Sequence, residues 1–288
     1  MRQFLAASLA STGLLANPVS AAQPTNISLP PASTWNLDYA KDSCKLRRVF
    51  GSGDQAITLE FERQAPVDDF NILVFGPGIV PYMPRESTQL IFGSNPPYQA
   101  DFWYRGVDKA GTHFISRHLD GIKPSSIKQH RLSQAITVAD EAAIRSVTLK
   151  NAKSTWTFAT GPLGAAFASL RHCEDDLVRA WGLDPQVQRK LSRLAEPKGD
   201  AGYWLTTNDY PTEALMRNRI GKVNFRLMVD EFGKTSACFV QSGQTTGNFD
   251  EVVCRLLMKR SKFIPALDAS GKPTASFWVS AVNFSIPE

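Results

Sequence analysis

Histidines, cysteines and a few glycine-rich turns are the residues of this chain most able to do chemistry. His113, His118, His130 and His172 show no metal-ligand spacing, so no metal is expected. His118 with Asp101 or Asp120 would supply the base and the orienting acid of a nucleophilic triad, because triads assemble in space and not in sequence. A hydrogen-bonded surface histidine accounts for the same residue more simply. No Gly-x-Ser-x-Gly elbow occurs. Gly51-Ser52-Gly53 with Ala56 imitates a dinucleotide loop, but a strand pattern follows where a helix is required. Gly233-Lys234-Thr235 imitates the end of a phosphate loop, with Met228 where the first glycine should stand. The expectation is no catalytic residue and no cofactor. An exported enzyme with its active site in the N-terminal half, using His113 or His118, is the alternative.

Cys44, Cys173, Cys238 and Cys254 form no Cys-x-x-Cys pair, which removes the main zinc and redox signatures. Three pairings are open; Cys44–Cys173 and Cys238–Cys254 are expected, since each then lies inside one domain. The second would close a short loop, a constraint of about 3 kcal/mol on the chain-entropy model. Disulfides need an oxidising compartment, and Met1 to Ala22 reads as a cleavable export signal. Arg2 supplies the positive start, Phe4 to Leu15 the apolar run, Pro18 a break and Val19-Ser20-Ala21-Ala22 the small residues for cleavage.

Those residues must be held by elements, and the pattern along the chain supplies them. The sequence has 288 residues, with 32 basic against 27 acidic for a net +5. The charge is spread, so nucleic acid is not an expected partner. No run approaches the ~20 apolar residues of a membrane-spanning helix, so no integral membrane segment is expected in the mature chain. Residues 23–34 form a turn-rich leader. Residues 35–196 read as a β-rich domain closed by helices: short runs such as Ile57-Thr58-Leu59-Glu60-Phe61 recur between Gly, Pro, Asn and Asp, as in a small sandwich or barrel. Helical periodicity follows Gly161-Pro162 through Leu163, Phe167, Leu170, Leu177, Val178 and Trp181 until Gly182. Asp184-Pro185 opens a second helix expected to run through Leu191 and Leu194. Residues 197–202 are the expected linker, and residues 203–288 a compact second module. The fold class expected is therefore α+β.

In that module Tyr210-Pro211 opens a helix through Ala214, Leu215 and Met216 that ends by Gly221. Val223 to Val229 alternates as a strand, Asp230-Glu231-Phe232-Gly233 turns, and a strand returns from Thr235 to Gln241. Ser242-Gly243 to Gly247 reads as a loop. Asn248 with Glu251 reads as a capping box for a helix whose apolar stripe is Phe249, Val252, Val253, Leu256 and Leu257. After a turn at Asp268-Ala269-Ser270-Gly271 a last strand is expected from Ala275 to Phe284. Basic residues gather at Arg217, Arg219 and Lys222, and at Arg255, Lys259, Arg260 and Lys262. A solvated face is the expectation for both groups, with phosphate or lipopolysaccharide contact as the alternative.

The order helix, strand, strand, helix, strand, a three-stranded antiparallel module, resembles the C-terminal domain of TonB-type energy transducers. The residues that carry the resemblance are Tyr210-Pro211 with Ala214 and Leu215, Gly221 with Val223, Val229-Asp230 with Gly233, and Ser242 with Gly243. Phe249-Asp250 and Phe263-Ile264-Pro265-Ala266 with Asp268, Gly271 and Pro273 complete it. The resemblance implies a periplasmic domain that grips an extended segment of an outer-membrane TonB-dependent transporter by adding it as a strand. Family transducers carry an N-terminal anchor and a Pro-rich spacer, where this sequence reads as a signal and a folded domain.

The residues point the same way. Ala275 to Phe284 contains no charge and no proline, whereas natural edge strands are usually guarded by such residues. Phe277, Trp278, Val279, Ser280, Ala281 and Val282 are the expected binding residues, recognising a transporter or another extended peptide segment by strand addition. Self-association through the same strand is a further expectation.

Overall fold

The computed structural model describes residues 25–79, 88–100, 104–108, 111–124, 137–244 and 248–286. The expected signal segment, Asp101 and His130 lie outside them.

Among the described residues, eleven strands and three α-helices make the N-terminal part. In chain order these are β1 (Thr25–Leu29), β2 (Asn36–Tyr39), β3 (Cys44–Phe50), β4 (Ile57–Arg63), β5 (Phe70–Phe75), β6 (Thr88–Phe92), β7 (Tyr98–Ala100), β8 (Tyr104–Val107), β9 (His113–Leu119), α1 (Val138–Ala143), β10 (Val147–Lys150), β11 (Ser154–Phe158), α2 (Gly164–Ala180) and α3 (Pro185–Gln188). Two sheets result, ordered β1-β11-β10-β6-β7 and β2-β3-β4-β5-β9-β8. Alternation decides their inner faces: Ile57, Leu59 and Phe61 of β4 and Phe70, Ile72 and Val74 of β5 are buried. Phe61 and Phe70 reach across to Phe92 of the other sheet, at ring separations of 6.3 and 6.0 Å. The expected sandwich is present. Helix α2 closes it, with Phe167 edge-on to Phe61 at 5.1 Å and Cys173 bridged to Cys44.

Gly182 stops α2 as expected. It takes φ +80°, and Gly182 and Leu183 donate their N–H groups back to Arg179 and Val178. Asp184 caps α3 by accepting from the Gln186 N–H at 2.8 Å. That helix is shorter than expected and does not run through Leu191 and Leu194. The chain leaves it because tertiary partners take over its backbone: Ser192 N–H donates to the Leu267 carbonyl and Leu267 N–H to that of Arg193, both at 2.9 Å.

The C-terminal part contains β12 (Glu196–Pro197), α4 (Thr212–Met216), β13 (Gly221–Val229), β14 (Thr235–Gln244), α5 (Phe249–Arg260), β15 (Phe263–Ile264), β16 (Ala266–Leu267), β17 (Pro273–Thr274) and β18 (Ser276–Phe284). The main sheet is antiparallel with order β14-β13-β18. Its inner face packs on α5, whose five stripe residues, Phe249, Val252, Val253, Leu256 and Leu257, are all buried. The Cys238–Cys254 disulfide ties β14 to that helix.

Three local expectations differ. Leu191 and Ala195 are buried in the second core, and β12 pairs with β15, so the segment that precedes residues 197–202 packs with the C-terminal module. Strand β14 runs to Gln244, which places Ser242 and Gly243 in a strand instead of a loop. Asn248 precedes α5 but its side chain makes no cap bond, because its backbone (φ −86°, ψ 25°) is not extended as a capping residue's must be.

Candidate functional site: the edge of the C-terminal sheet

Strand β18 pairs along its whole length with β13, from Gly221 opposite Phe284 to Val229 opposite Ser276. Among the described residues no strand pairs with its other side. Register divides its side chains between two faces. Trp278, Ser280, Val282 and Phe284 share the helix side with Val223, Phe225 and Leu227. Trp278 is fixed there by Trp204 at 5.5 Å, Phe263 at 5.6 Å and Phe225 at 5.8 Å. Phe277, Val279 and Ala281 share the outer face with Met228, Arg226 and Asn224.

The outer face meets the sandwich. Phe277 is 8% exposed and its ring meets Trp181 at 5.1 Å, so this expected binding residue is taken up inside the molecule. Gln188 holds the start of the strand: its amide donates to the Ala275 carbonyl at 3.0 Å and its oxygen accepts from the Ser276 hydroxyl at 2.7 Å. Beyond these, Val279, Ser280 and Ala281 border a cleft of about 280 Å³. Its other walls are Lys222 and Asn224 of β13, and Glu62, Val67, Asp69, Asn71 and His118 of the sandwich. The open part of the edge is thus shorter than the six expected residues.

His118 sits in that wall with Nδ1 3.2 Å from the Asn71 amide oxygen and Nε2 3.8 Å from an Asp69 carboxylate oxygen. It is not joined to Asp120, whose carboxylate accepts from the Tyr98 hydroxyl at 3.1 Å. Asp69 in that place was not legible, since β5 and β9 must pair before the two residues meet. His113 lies at the start of β9 and is exposed, and His172 is exposed on α2.

One residue of this interface escaped the sequence reading altogether. Arg226 is 3% exposed on the outer face of β13, with its guanidinium 4.0 Å from the Trp181 ring and 4.7 Å from the Phe239 ring. Burial lowers its pKa to about 10, opposed by the Asp42 carboxylate 3.9 Å away. Gln241 donates its amide to the Gln64 carbonyl at 2.9 Å across the same boundary. The available signal was an arginine set between Phe225 and Leu227 in the apolar half of the strand.

The remaining motif residues build the module. The Tyr210 ring packs on Phe249 at 5.7 Å and Phe284 at 5.4 Å, and its hydroxyl donates to the Arg219 carbonyl. Pro211 stands at the N-cap of α4, and Gly221 opens β13. Gly233 has φ +78°, and a Cβ there would come within 2.1 Å of the Phe263 carbonyl oxygen. Ala266 is fully buried, and the Pro265 carbonyl accepts from Arg193 at 3.0 Å. Of the basic residues, Arg217 pairs with Glu213 at 3.3 Å, and Arg260 grips Asp209 through two nitrogens at 2.6 and 3.0 Å. That grip holds the Asp209 carboxyl at about 2.

Residues 206–286 match the family model of the Gram-negative bacterial TonB protein C-terminal. The C-terminal module is therefore a TonB C-terminal domain, in agreement with the resemblance read from Tyr210 to Pro273. No match to the chain exists among curated proteins. The sheet edge and its cleft belong to this TonB domain on one side and to the sandwich on the other. No helix among the described residues is long and apolar enough to cross a membrane.

Proposed function

We propose that this chain is an exported, periplasmic TonB-like binding protein that takes up an extended peptide beside β18, as part of TonB-dependent transport across the outer membrane. One observation carries the reading: an uncharged, proline-free strand has β13 on one side and no strand among the described residues on the other, and a cleft shared with β13 opens beside its outer face. An extended segment lying there gains main-chain hydrogen bonds from the strand, while alternate side chains meet the cleft wall. The segment of an outer-membrane transporter that TonB domains engage is the partner this predicts.

The test is titration of the full chain with a TonB-box-like peptide, alongside the same peptide with its central amides N-methylated. Binding by the first and not the second supports strand addition. Equal binding of both refutes it.

A second reading, an exported enzyme acting through His118, draws on the His118–Asp69 approach in the same cleft. Replacing His118 by Ala separates the two readings: a peptide edge keeps its affinity within a few-fold, whereas hydrolytic or transfer activity would vanish.

A further inference from the structure

Outside the residues that line the cleft, three lysines stand in register across neighbouring backbone segments. Lys234 is bridged directly opposite Lys262, and the Lys198 N–H donates to the Lys262 carbonyl at 2.8 Å, one step beyond the paired residues Pro197 and Phe263. All three are exposed. Like charges placed directly opposite across strands destabilise a sheet. No carboxylate among the described residues forms an ion pair with any of them. The nearest acids along the chain are Glu196 and Asp200, each two residues from Lys198, and Glu231, three from Lys234; all are exposed.

The row has an apolar border. Side chains alternate along an extended segment, and Phe263 points into the core, so Lys262 and Ile264 share the solvent side. Ile264 is 39% exposed, and Phe232, two residues before Lys234, is 83% exposed. The turn that projects Phe232 is firmly built. One Asp230 carboxylate oxygen accepts from the N–H groups of Phe232 at 3.0 Å and Lys234 at 2.8 Å, and Gly233 lies against the Phe263 carbonyl. A rigid turn that holds an aromatic ring in water, beside cations spanning about 10 Å at strand spacing, is poorly explained by folding alone.

We infer that this end of the TonB domain docks on an anionic lipid surface. The lysines meet the phosphates, and Phe232 with Ile264 enters the boundary between headgroups and acyl chains. A free phosphate or an acidic peptide would satisfy the lysines but leave the projecting ring unused. Together with the β18 cleft, this surface would hold the domain beside the membrane that carries its partner, although it does not depend on peptide binding.

The test uses the full chain and sedimentation with vesicles of phosphatidylcholine, with and without one-third phosphatidylglycerol. Binding is expected only to the anionic vesicles and is lost in high salt. The triple variant Lys198→Gln, Lys234→Gln, Lys262→Gln should weaken partitioning about a hundredfold, and Phe232→Ser about tenfold. Thermal midpoints should be unchanged, or raised in the triple variant as repulsion is relieved. Equal binding to both vesicle types, an unchanged triple variant, or an unchanged Phe232→Ser overturns the inference. So does displacement of the chain from vesicles by millimolar inorganic phosphate, or a lowered midpoint in the triple variant.

Discussion

Proline substituted in turn at Trp278, Val279, Ser280, Ala281 and Val282 should give two alternating results. Residues of an antiparallel strand turn both their N–H and C=O to one neighbour or to the other, in strict alternation. Ala275 gives its carbonyl to Gln188, away from β13, so the period of two puts the backbone groups of Phe277, Val279 and Ala281 on the open side. Trp278, Ser280 and Val282 then bond to Leu227, Phe225 and Val223. Proline at those three removes a ladder donor and leaves a β13 carbonyl unsatisfied, about 1–3 kcal/mol before any clash of the ring. Proline at Val279 or Ala281 removes a donor that faces no strand. Stability should then hold within about 0.5 kcal/mol, while peptide affinity loses one hydrogen bond of about 1 kcal/mol plus steric exclusion by the ring, at least tenfold together. Urea denaturation and fluorescence anisotropy with a labelled TonB-box-like peptide measure the two effects on the same five proteins. Equal destabilisation at all five positions would show β18 to be paired on both sides. Unchanged affinity at Val279 and Ala281 would show that the peptide binds elsewhere.

Further predictions concern the joints of the molecule. Glu174 is buried against Arg63 at 3.2 Å, and burial raises its pKa from 4.5 to about 7 in spite of Arg63 and Arg189. Between those values the folded chain holds more protons than the unfolded one, so this contribution to stability is complete below the lower value and lost as pH rises through the upper. Urea midpoints at pH 5 and pH 8 should show that loss, and Glu174→Gln should flatten it; a variant with the same slope as the parent contradicts the assignment. At the domain boundary Arg226→Met removes two buried nitrogens, Nε and Nη1, that lack hydrogen-bond partners and still fills the space between Trp181 and Phe239. Its stability should stay within about 1 kcal/mol of the parent, whereas Arg226→Ala should cost about 2–4 kcal/mol. Equal losses in denaturation would mean that the Asp42 ion pair holds the interface. Gly233→Ala forces a side chain into a left-handed turn against the Phe263 carbonyl, so calorimetry should show a loss above about 2 kcal/mol.

Legibility in the sequence followed the range of the interaction. Gly182, Asp184-Pro185 and the Asp230–Gly233 turn act within a few residues, and each does in the structure what its type requires. The α5 stripe and the alternation of β13 needed only a period and a polarity. The second helix failed for the opposite reason: Leu191 and Leu194 fit a helical period, but Leu267, some 75 residues later, competes for the same backbone. Asn248 had the residue type of a cap without its backbone angles.

The cysteine pairing stayed one of three until the fold brought the sulfurs together, whereas the sequence by itself determined the element order of the C-terminal module and its likeness to TonB domains. Those follow from local periodicity, from turn chemistry and from ordered motif residues, none of which needs a neighbour to be known. Tertiary structure alone decided how much of the uncharged strand is usable. Trp181 and Gln188 occupy its beginning, Arg226 locks the outer face to the sandwich, and Asp69, Asn71 and His118 arrive as the far wall of the cleft. These contacts join residues more than forty positions apart. Pairing and packing create them, and no window along the chain contains both partners.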